Sequence, residues 1–380
     1  MKPLLLAVHP SPDLYGSDRQ LVESVVGFVA AGYVVSVVMP ADGPLRELLA
    51  GCGATVVIRG FPVLRKSWLR PMKLLRLVIQ LPVTLVASVR FIRKLRPSVM
   101  YVNTITVPTW TIAARLARVP IVCHVHEAEV GQPKLLRLAL NAPMLLADIV
   151  VANSHAARNG VVESVRRLTD RTIVVYNGVA GPPKSPTKGV VREPSGPAKI
   201  ALVARLSPRK GIDVALEAVA KLRSSGRLVE LTVCGSVFPG YEWYEEQLRL
   251  RIAEPDLAGH VKLAGYVHPT WPQLADADIV VVPSRTEPFG NAAVEGLLSN
   301  RPMVASRVGG LMEVIKDRET GILVEPNDAV ALADGIAVLL DDPDYAASLA
   351  TAGLADAQHR FSVERYKTEL TALVERVRKR

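Results

Sequence analysis

The sequence predicts an α/β protein built from two Rossmann-like domains, each a doubly wound parallel sheet. Three observations carry this prediction. Short runs rich in Val, Ile and Leu are apolar throughout rather than alternating, which suits parallel strands covered on both faces. They alternate with helical patterns of ten to fifteen residues, the signature of βαβ units. The pattern is interrupted by AGPPKSPTKGVVREPSGP (180–197), whose five prolines and three glycines cannot build a core and therefore mark a linker. The expected domains are 1–180 and 199–360, joined by a linker at 181–198 and followed by a helix at 361–380.

In order, the runs read as strands are LLLAV (4–8), VVSVV (34–38), TVVI (55–58), IVCHV (121–125), DIVVA (148–152) and TIVVY (172–176) in the first half. KIALVA (199–204), VELTVC (229–234), DIVVVPS (278–284) and PMVAS (302–306) follow in the second. The opening MKPLLLAVHP suits a buried first strand better than a secretion signal, because its apolar run is short and no small-residue cleavage site follows. No apolar stretch reaches 18 residues, so no membrane-spanning helix is expected. Cys52, Cys123 and Cys234 are odd in number and far apart, which fits reduced core residues. Cytoplasm is the default location.

Charge is unevenly placed. The net charge is +10, and the first 180 residues hold 21 Lys and Arg against 10 Asp and Glu. No acidic residue occurs between Glu47 and Glu127. Within 59–96 fall Arg59, Arg65, Lys66, Arg70, Lys73, Arg76, Arg90, Arg93, Lys94 and Arg96. Such a local patch points to a local anionic partner. Residues 66–97 combine these cations with long aliphatics, and Pro71 and Pro82 break the pattern. Two readings stand open: a basic amphipathic segment at an anionic membrane surface, or a core-facing helix with a solvated basic face. Nucleic acid is a poor partner, because only Trp68 and Phe91 offer stacking surface in the patch.

In open parallel sheets ligands sit beyond the carboxyl ends of the strands, so residues just after strands are the ones to inspect. After the first strand, Ser17 and Gln20 have the spacing of a capping box. Gly16 before them would let a ligand approach the first-turn amides, or it simply makes the turn. In KIALVARLSPRKG, Arg205 follows a strand and Lys210 precedes a helix. Two cations there suit a diphosphate, and equally suit solvated surface. The segment 278–315 places Glu287 on a loop, then Phe289, Gly290 and Asn291 at a helix start, then Glu295 about one turn in. First-turn amides favour an anion, and a carboxylate just inside the helix can accept from a ribose diol. Taken alone, helix-start carboxylates are also favoured by the macrodipole.

Together these residues carry a resemblance. Glu287 and Glu295, eight positions apart around PFGNAAV, resemble the paired-glutamate motif of the family 4 retaining glycosyltransferases. Arg205 and Lys210 in ARLSPRKG, VANS (151–154), YNGV (176–179), AGY (264–266), ADIVVVPS (277–284), the Gly-Gly pair before Glu313, and GILVEPND (321–328) agree in order and spacing. The resemblance implies the GT-B fold, with an acceptor-side first domain, a nucleotide-sugar donor domain and a last helix crossing back so that a hinge can close. It implies that Arg205 and Lys210 hold the donor diphosphate, Glu295 the ribose and Glu287 the transferred sugar. Amides of Phe289, Gly290 and Asn291 would serve sugar or phosphate oxygens, Tyr266 would flank the base, and Gly16 would line the cleft. His126 matches the family's histidine near the transferred sugar; His124 is its rival, less suited because it lies within the strand.

The implied reaction is front-face transfer with retention from a nucleoside-diphosphate sugar, without metal or other cofactor. Asp276 and Asp278 look like a strand boundary rather than a metal motif. The acceptor would be lipid-linked or a cell-envelope glycan precursor, with the enzyme peripheral on the inner face of the membrane. A nucleotide-sugar epimerase, hydrolase or phosphorylase of the same fold is the alternative. Three departures, YGSD in the first loop, GLLSNRP after Glu295, and Asn291 itself, leave the donor's base and sugar open.

Overall fold

The computed structural model describes residues 2–64, 71–127, 133–184, 196–238 and 240–379, for 71–79 the backbone only. Arg65, Lys66, Trp68 and Arg70 of the basic patch, and 185–195 of the linker, lie outside the described residues. So do the side chains of Lys73 and Arg76. The chain forms two compact units, Met1–Gly178 with Val363–Arg380, and Val179–Ser362.

The first unit holds β1 (Leu4–Val8), α1 (Gly16–Ala30), β2 (Val34–Met39), α2 (Leu45–Gly51), β3 (Thr55–Ile58), α3 (Pro71–Leu95), β4 (Val99–Val102), α4 (Pro108–Leu116), β5 (Ile121–Val125), α5 (Lys134–Asn141), β6 (Ile149–Ala152), α6 (His155–Ser164) and β7 (Thr172–Val174). Its seven strands are ordered β3-β2-β1-β4-β5-β6-β7, all parallel. Successive side chains enter opposite faces, and both faces are covered. Leu5, Ala7, Tyr101 and Val122 pack with Leu21, Val25 and Phe28 of α1, while Leu6, Val8, Met100 and Val102 pack with Ile92 and Trp110. That double burial is why the strands read as continuous apolar runs.

The second unit holds β8 (Ala198–Val203), α7 (Ile212–Ser224), β9 (Val229–Cys234), α8 (Glu242–Ile252), β10 (Val261–Gly265), α9 (Trp271–Asp276), β11 (Ile279–Val282), α10 (Asn291–Leu298), β12 (Met303–Ser306), α11 (Leu311–Val314), β13 (Ile322–Val324), α12 (Ala329–Asp341) and α13 (Pro343–Arg360). Its parallel sheet runs β10-β9-β8-β11-β12-β13. Asp328 and Asp342 cap α12 and α13 by accepting first-turn amides, as short acceptor side chains do. The last helix, α14 (Val363–Arg378), belongs to the first unit, where Tyr366, Leu370, Val374 and Val377 complete the core beside α1.

Two local expectations are corrected. Ser17 does not cap α1. The helix starts at Gly16 with Tyr15 as its cap, and the Asp18 carboxylate accepts the Tyr15 amide at 2.8 Å. An ionised acceptor at the third helical position binds the cap N–H more strongly than a hydroxyl would. Pro82 does not break the helix either: α3 runs through it for 25 residues. One proline removes a single hydrogen bond, and the helix is held from outside. Leu85, Val89 and Ile92 pack into the core against α4, leaving Arg90, Arg93 and Lys94 exposed on the other side with Val83 and Val86. One face of this helix thus lies in the core, and its other face carries exposed cations beside exposed valines. Among the described residues no helix is long and apolar enough to cross a membrane.

Candidate functional site

In the second sheet, β8 lies between β9 and β11, so the chain leaves β8 in one direction and returns on its other side at β11. At such a switch, doubly wound sheets bind their ligands beyond the carboxyl edge. The loop after β8 carries Arg205 and Lys210, and the loop after β11 carries Glu287 and the start of α10.

The two loops are stitched together. The Arg285 amide donates to the Arg209 carbonyl at 2.8 Å, and the Arg285 guanidinium forks onto Asp213 at 2.9 and 2.6 Å. Gly211 has φ +66°, and a Cβ there would stand 2.0 Å from the Pro283 carbonyl oxygen, so only glycine fits. This close approach brings Lys210 Nζ against Glu287 Oε2 as an ion pair, both side chains largely buried. Ser284 Oγ donates to the same carboxylate oxygen at 3.3 Å.

Burial opposes ionisation of Glu287, but the Lys210 and Arg209 charges, with hydrogen bonds from Lys210 and Ser284, outweigh it and hold the carboxyl below its ordinary range. Burial also drives Lys210 below the ordinary lysine value; Glu287 pulls it back up, while Arg209 and Arg205 push it further down. Arg205 is therefore close enough for its charge to be felt at Lys210, and its guanidinium lies 5.5 Å from the Phe238 ring centre.

The start of α10 joins the same cluster. Gly290 is its cap with φ +116°, and its Cβ position is closed by Leu311. The Gly309–Gly310 pair lets the loop after β12 lie on the Glu287 backbone: the Gly310 amide donates to the Glu287 carbonyl at 2.9 Å. Asn291 opens the helix, and Glu295, within it, accepts from Thr270 Oγ1 at 3.0 Å. Tyr266, just past β10, is half exposed. The Phe289 ring is buried on Phe361, so of this residue only the backbone can face a ligand. Arg205, Lys210, Glu287, Gly290, Asn291 and Glu295 thus gather on one edge of one sheet, with Tyr266 on a neighbouring strand end.

Asp276 and Asp278 lie at the opposite, amino edge. Asp276 pairs with Lys199 at 2.8 Å and Asp278 accepts the Lys199 amide at 2.8 Å, so both pin strand starts.

In the first unit, β1 and β4 flank the corresponding switch point. Gly16 is the exposed first residue of α1. His126 follows β5, and its Nε2 lies 2.8 Å from Asn103 Oδ1 at the end of β4. Asn103 Nδ2 in turn lies 3.0 Å from His9 Nδ1, and His9 Nε2 lies 2.7 Å from Asp18. The His126 amide donates to Glu127 at 3.0 Å. His124 is sealed within β5 against Tyr101, and burial pushes its pKa down to about 3. Burial, with His124 and His9 nearby, also holds His126 well below its ordinary value, so its ring is neutral. Sequence reasoning missed His9, Asp18, Asn103, Ser284, Arg209 and Thr270. His9 directly follows β1, which was the available signal; Asn103 follows β4, a strand not among the runs read from sequence, and the others have none.

Two family models match. The one described as Glycosyltransferase Family 4 covers residues 15–180, and the one described as Glycosyl transferases group 1 covers 184–355. Between them they run through nearly the whole chain. The chain belongs to the family 4 glycosyltransferases.

Among curated relatives, the glycogen synthase of Mycobacterium tuberculosis strain H37Rv is 28% identical over 267 residues, 66% of this chain and 62% of the relative. The D-inositol 3-phosphate glycosyltransferase of Thermobispora bispora is 30% identical over 255 residues, 61% and 56% respectively. These matches thus span about three fifths of the relatives' length. Among solved structures, Anabaena HepE in complex with UDP and glucose superposes with a TM-score of 0.82 at 23% identity, covering 99% of this chain and all of the other. Sucrose-phosphate synthase from Thermosynechococcus elongatus gives 0.78 at 20% identity, covering 99% of each. These likenesses establish the fold of this family member as GT-B.

Proposed function

We propose that this family 4 member is a retaining, metal-independent glycosyltransferase that moves a sugar from a nucleoside-diphosphate sugar to a hydroxyl acceptor. The observation that carries the reading is the meeting of Lys210, Glu287, Arg205 and the start of α10 at the switch point of the second sheet. Two fixed cations and a helix start gather negative charge, which is what a departing diphosphate develops as the sugar–oxygen bond breaks. Lys210 brings three donors to Glu287, so one ammonium can hold the glutamate and a phosphate oxygen at once. In this reading Glu287 sits against the transferred sugar. Glu295 and Thr270 take the ribose, and Tyr266 flanks the base. Retention follows from attack on the face the diphosphate leaves, the phosphate taking the acceptor proton, so no protein nucleophile is needed.

Anabaena HepE is described with UDP and with UDP-glucose, which makes a uridine donor the first to try. The exposed Arg90, Arg93 and Lys94 beside exposed Val83 and Val86 support a lipid-linked or envelope-glycan acceptor met at an anionic, cytoplasmic membrane surface.

The test is a panel of UDP-, GDP- and dTDP-sugars read by thermal shift, then by turnover and the anomeric configuration of the product. One donor should raise the melting point and give a product with the donor's anomeric configuration, at a rate indifferent to EDTA. Donor stabilisation followed only by epimerisation or hydrolysis refutes transfer. Inversion refutes the mechanism, and chelator loss restored by manganese refutes metal independence.

A further inference from the structure

The polar groups at the first unit's switch point form a chain in which each proton's place is dictated by its neighbour. Asp18, His9 and Asn103 are all buried. One Asp18 oxygen accepts the Tyr15 amide and the other faces His9 Nε2 at 2.7 Å. A carboxylate only accepts, so Nε2 carries the proton that His9 donates to it, and Nδ1, faced by the Asn103 amide nitrogen, offers a lone pair. That lone pair needs a donor, and the group 3.0 Å away is the Asn103 amide NH2. With its nitrogen so committed, Asn103 turns its carbonyl oxygen to His126 Nε2 at 2.8 Å. A carbonyl also only accepts, so the His126 proton sits on Nε2 and its Nδ1 is bare. Nδ1 is buried and has no hydrogen-bond partner among the described residues.

We propose that Asp18, His9 and Asn103 are positioning residues that lock His126 in its Nε2–H tautomer, so that His126 Nδ1 presents a lone pair to a hydroxyl of the carbohydrate substrate. The identity of that hydroxyl's owner rests on the glycosyltransferase reading; the tautomer does not. A sugar hydroxyl can donate to that lone pair, as a water held in the same place would. A His126 of the opposite tautomer would offer Nδ1–H instead, and would leave its Nε2 lone pair facing the Asn103 carbonyl, two acceptors in contact. An unmade hydrogen bond between buried groups disfavours that state.

The ring centre of His124 is 4.1 Å from that of His126 at a 39° tilt, and the hydrogen bond its Nδ1 makes is to Tyr101. Glu127 engages the His126 backbone amide and the Thr104 hydroxyl rather than the ring.

The experiment is a two-bond proton–nitrogen correlation on protein labelled with 15N-histidine. The chain has seven histidines, and the His126 signals are assigned by their loss in His126→Gln. In the wild-type protein Nδ1 of His126 should resonate in the unprotonated range and Nε2 in the protonated range, with no donor added. Asn103→Leu, close in size and unable to hydrogen-bond, should give the averaged signals of two exchanging tautomers. Asp18→Asn should shift His126 towards the Nδ1–H form two side chains away, because an amide can donate to His9 Nε2 and reverse the whole chain. A purely structural role for Asp18 leaves the His126 tautomer untouched. In both variants kcat/KM for the stabilising donor should fall about tenfold, the effect of one weakened hydrogen bond. Signals of His155, His260 and His359 unchanged from wild type certify folding. A wild-type Nδ1–H, or His126 signals unmoved in folded Asn103→Leu, overturns the proposal. Those spectra are read whether or not any sugar is transferred, so failure of the tautomer chain and failure of the transferase reading are separately visible.

Discussion

Removing one member of the Lys210–Glu287 pair should cost far more than removing both. The two side chains are 14% and 10% exposed, and breaking a buried pair by deleting one partner typically costs about 3–5 kcal/mol. In Glu287→Leu the stranded ammonium also faces Arg209 and Arg205. It has an escape, because losing its proton at neutral pH costs about 4 kcal/mol from an ordinary lysine value. The penalty is therefore capped near that figure. For a unit of this size ~4 kcal/mol lowers Tm by about 8–16 °C. Lys210→Met strands Glu287 but leaves it Arg209 and Ser284, so its cost should be smaller, about 2–3 kcal/mol. Lys210→Met/Glu287→Leu exchanges the pair for two apolar side chains of similar length, and such replacements are often close to neutral. The expected coupling in a double-mutant cycle is then several kcal/mol, well beyond the ~0.5 kcal/mol scatter of independent sites. The assay is denaturant unfolding at pH 7 and pH 9. In Glu287→Leu the folded state binds its Lys210 proton more weakly than the unfolded chain does, so stability rises with pH across that interval. The double variant has no such group and should show no gain. Additive single costs, or a flat pH response in Glu287→Leu, would show that the pair is not a buried unit.

Three further outcomes follow from the same geometry. Gly211→Ala should abolish donor-induced stabilisation and cost several kcal/mol, since its Cβ meets the Pro283 carbonyl at 2.0 Å; Gly226→Ala, also at positive φ but in open space, should cost only about 1–2 kcal/mol, with unfolding curves and thermal shifts comparing the two. The alkaline limb of kcat/KM should fall below the ordinary lysine range, because activity needs charged Lys210 and burial lowers its pKa; Lys210→Arg should move that limb upward, and a pH–rate profile decides. Binding to vesicles should require anionic lipid and weaken with salt. Neutralising Arg90, Arg93 and Lys94 together should weaken it about 100-fold, at roughly 1 kcal/mol per charge; binding indifferent to lipid charge refutes the membrane reading.

Legibility from sequence followed the range of the interaction. Ten strands were visible because burial on both faces leaves an unbroken apolar run, as in β1, β5 and β11, whereas β4, β10 and β13 were not among the runs named. The starts of α7 and α10 were visible because glycine, a loop and a helical pattern adjoin. The three-residue strand β7 ends at Val174 where the apolar run continues to Tyr176, since pairing with β6 stops there and hydrophobicity does not. The cap of α1 was misplaced because hydroxyl spacing around Ser17 looks right, while the deciding contact is a carboxylate reaching back to Tyr15. Glu287 and Lys210 were each legible as candidates, but their pairing was not. They are 77 positions apart, and only the order β8-β11, with Gly211 tight on Pro283, brings them together. Asn103 carried no signal, because its meaning lies in two histidines, each 23 or more residues away in sequence.

The second unit uses the same residue types at both edges of its sheet, and hydrogen-bonding capacity separates their purposes. At the amino edge Lys199 is matched to Asp276 and Asp278, while buried Arg301 is spent on the carbonyls of Leu274 and Ala275. Those contacts close strand starts and join α9 to the strand beside it. At the carboxyl edge, Lys210 has three donors and a single acceptor among the described residues, Glu287 Oε2. A largely buried ammonium with donors to spare is costly when left that way, and the glycines at positions 211, 309 and 310 let the backbones of the surrounding loops come into the contact that buries it. Structural pairs consume their valence, and ligand sites conserve it. On that criterion, not on the presence of charge, the carboxyl edge rather than the amino edge is where an anionic group belongs.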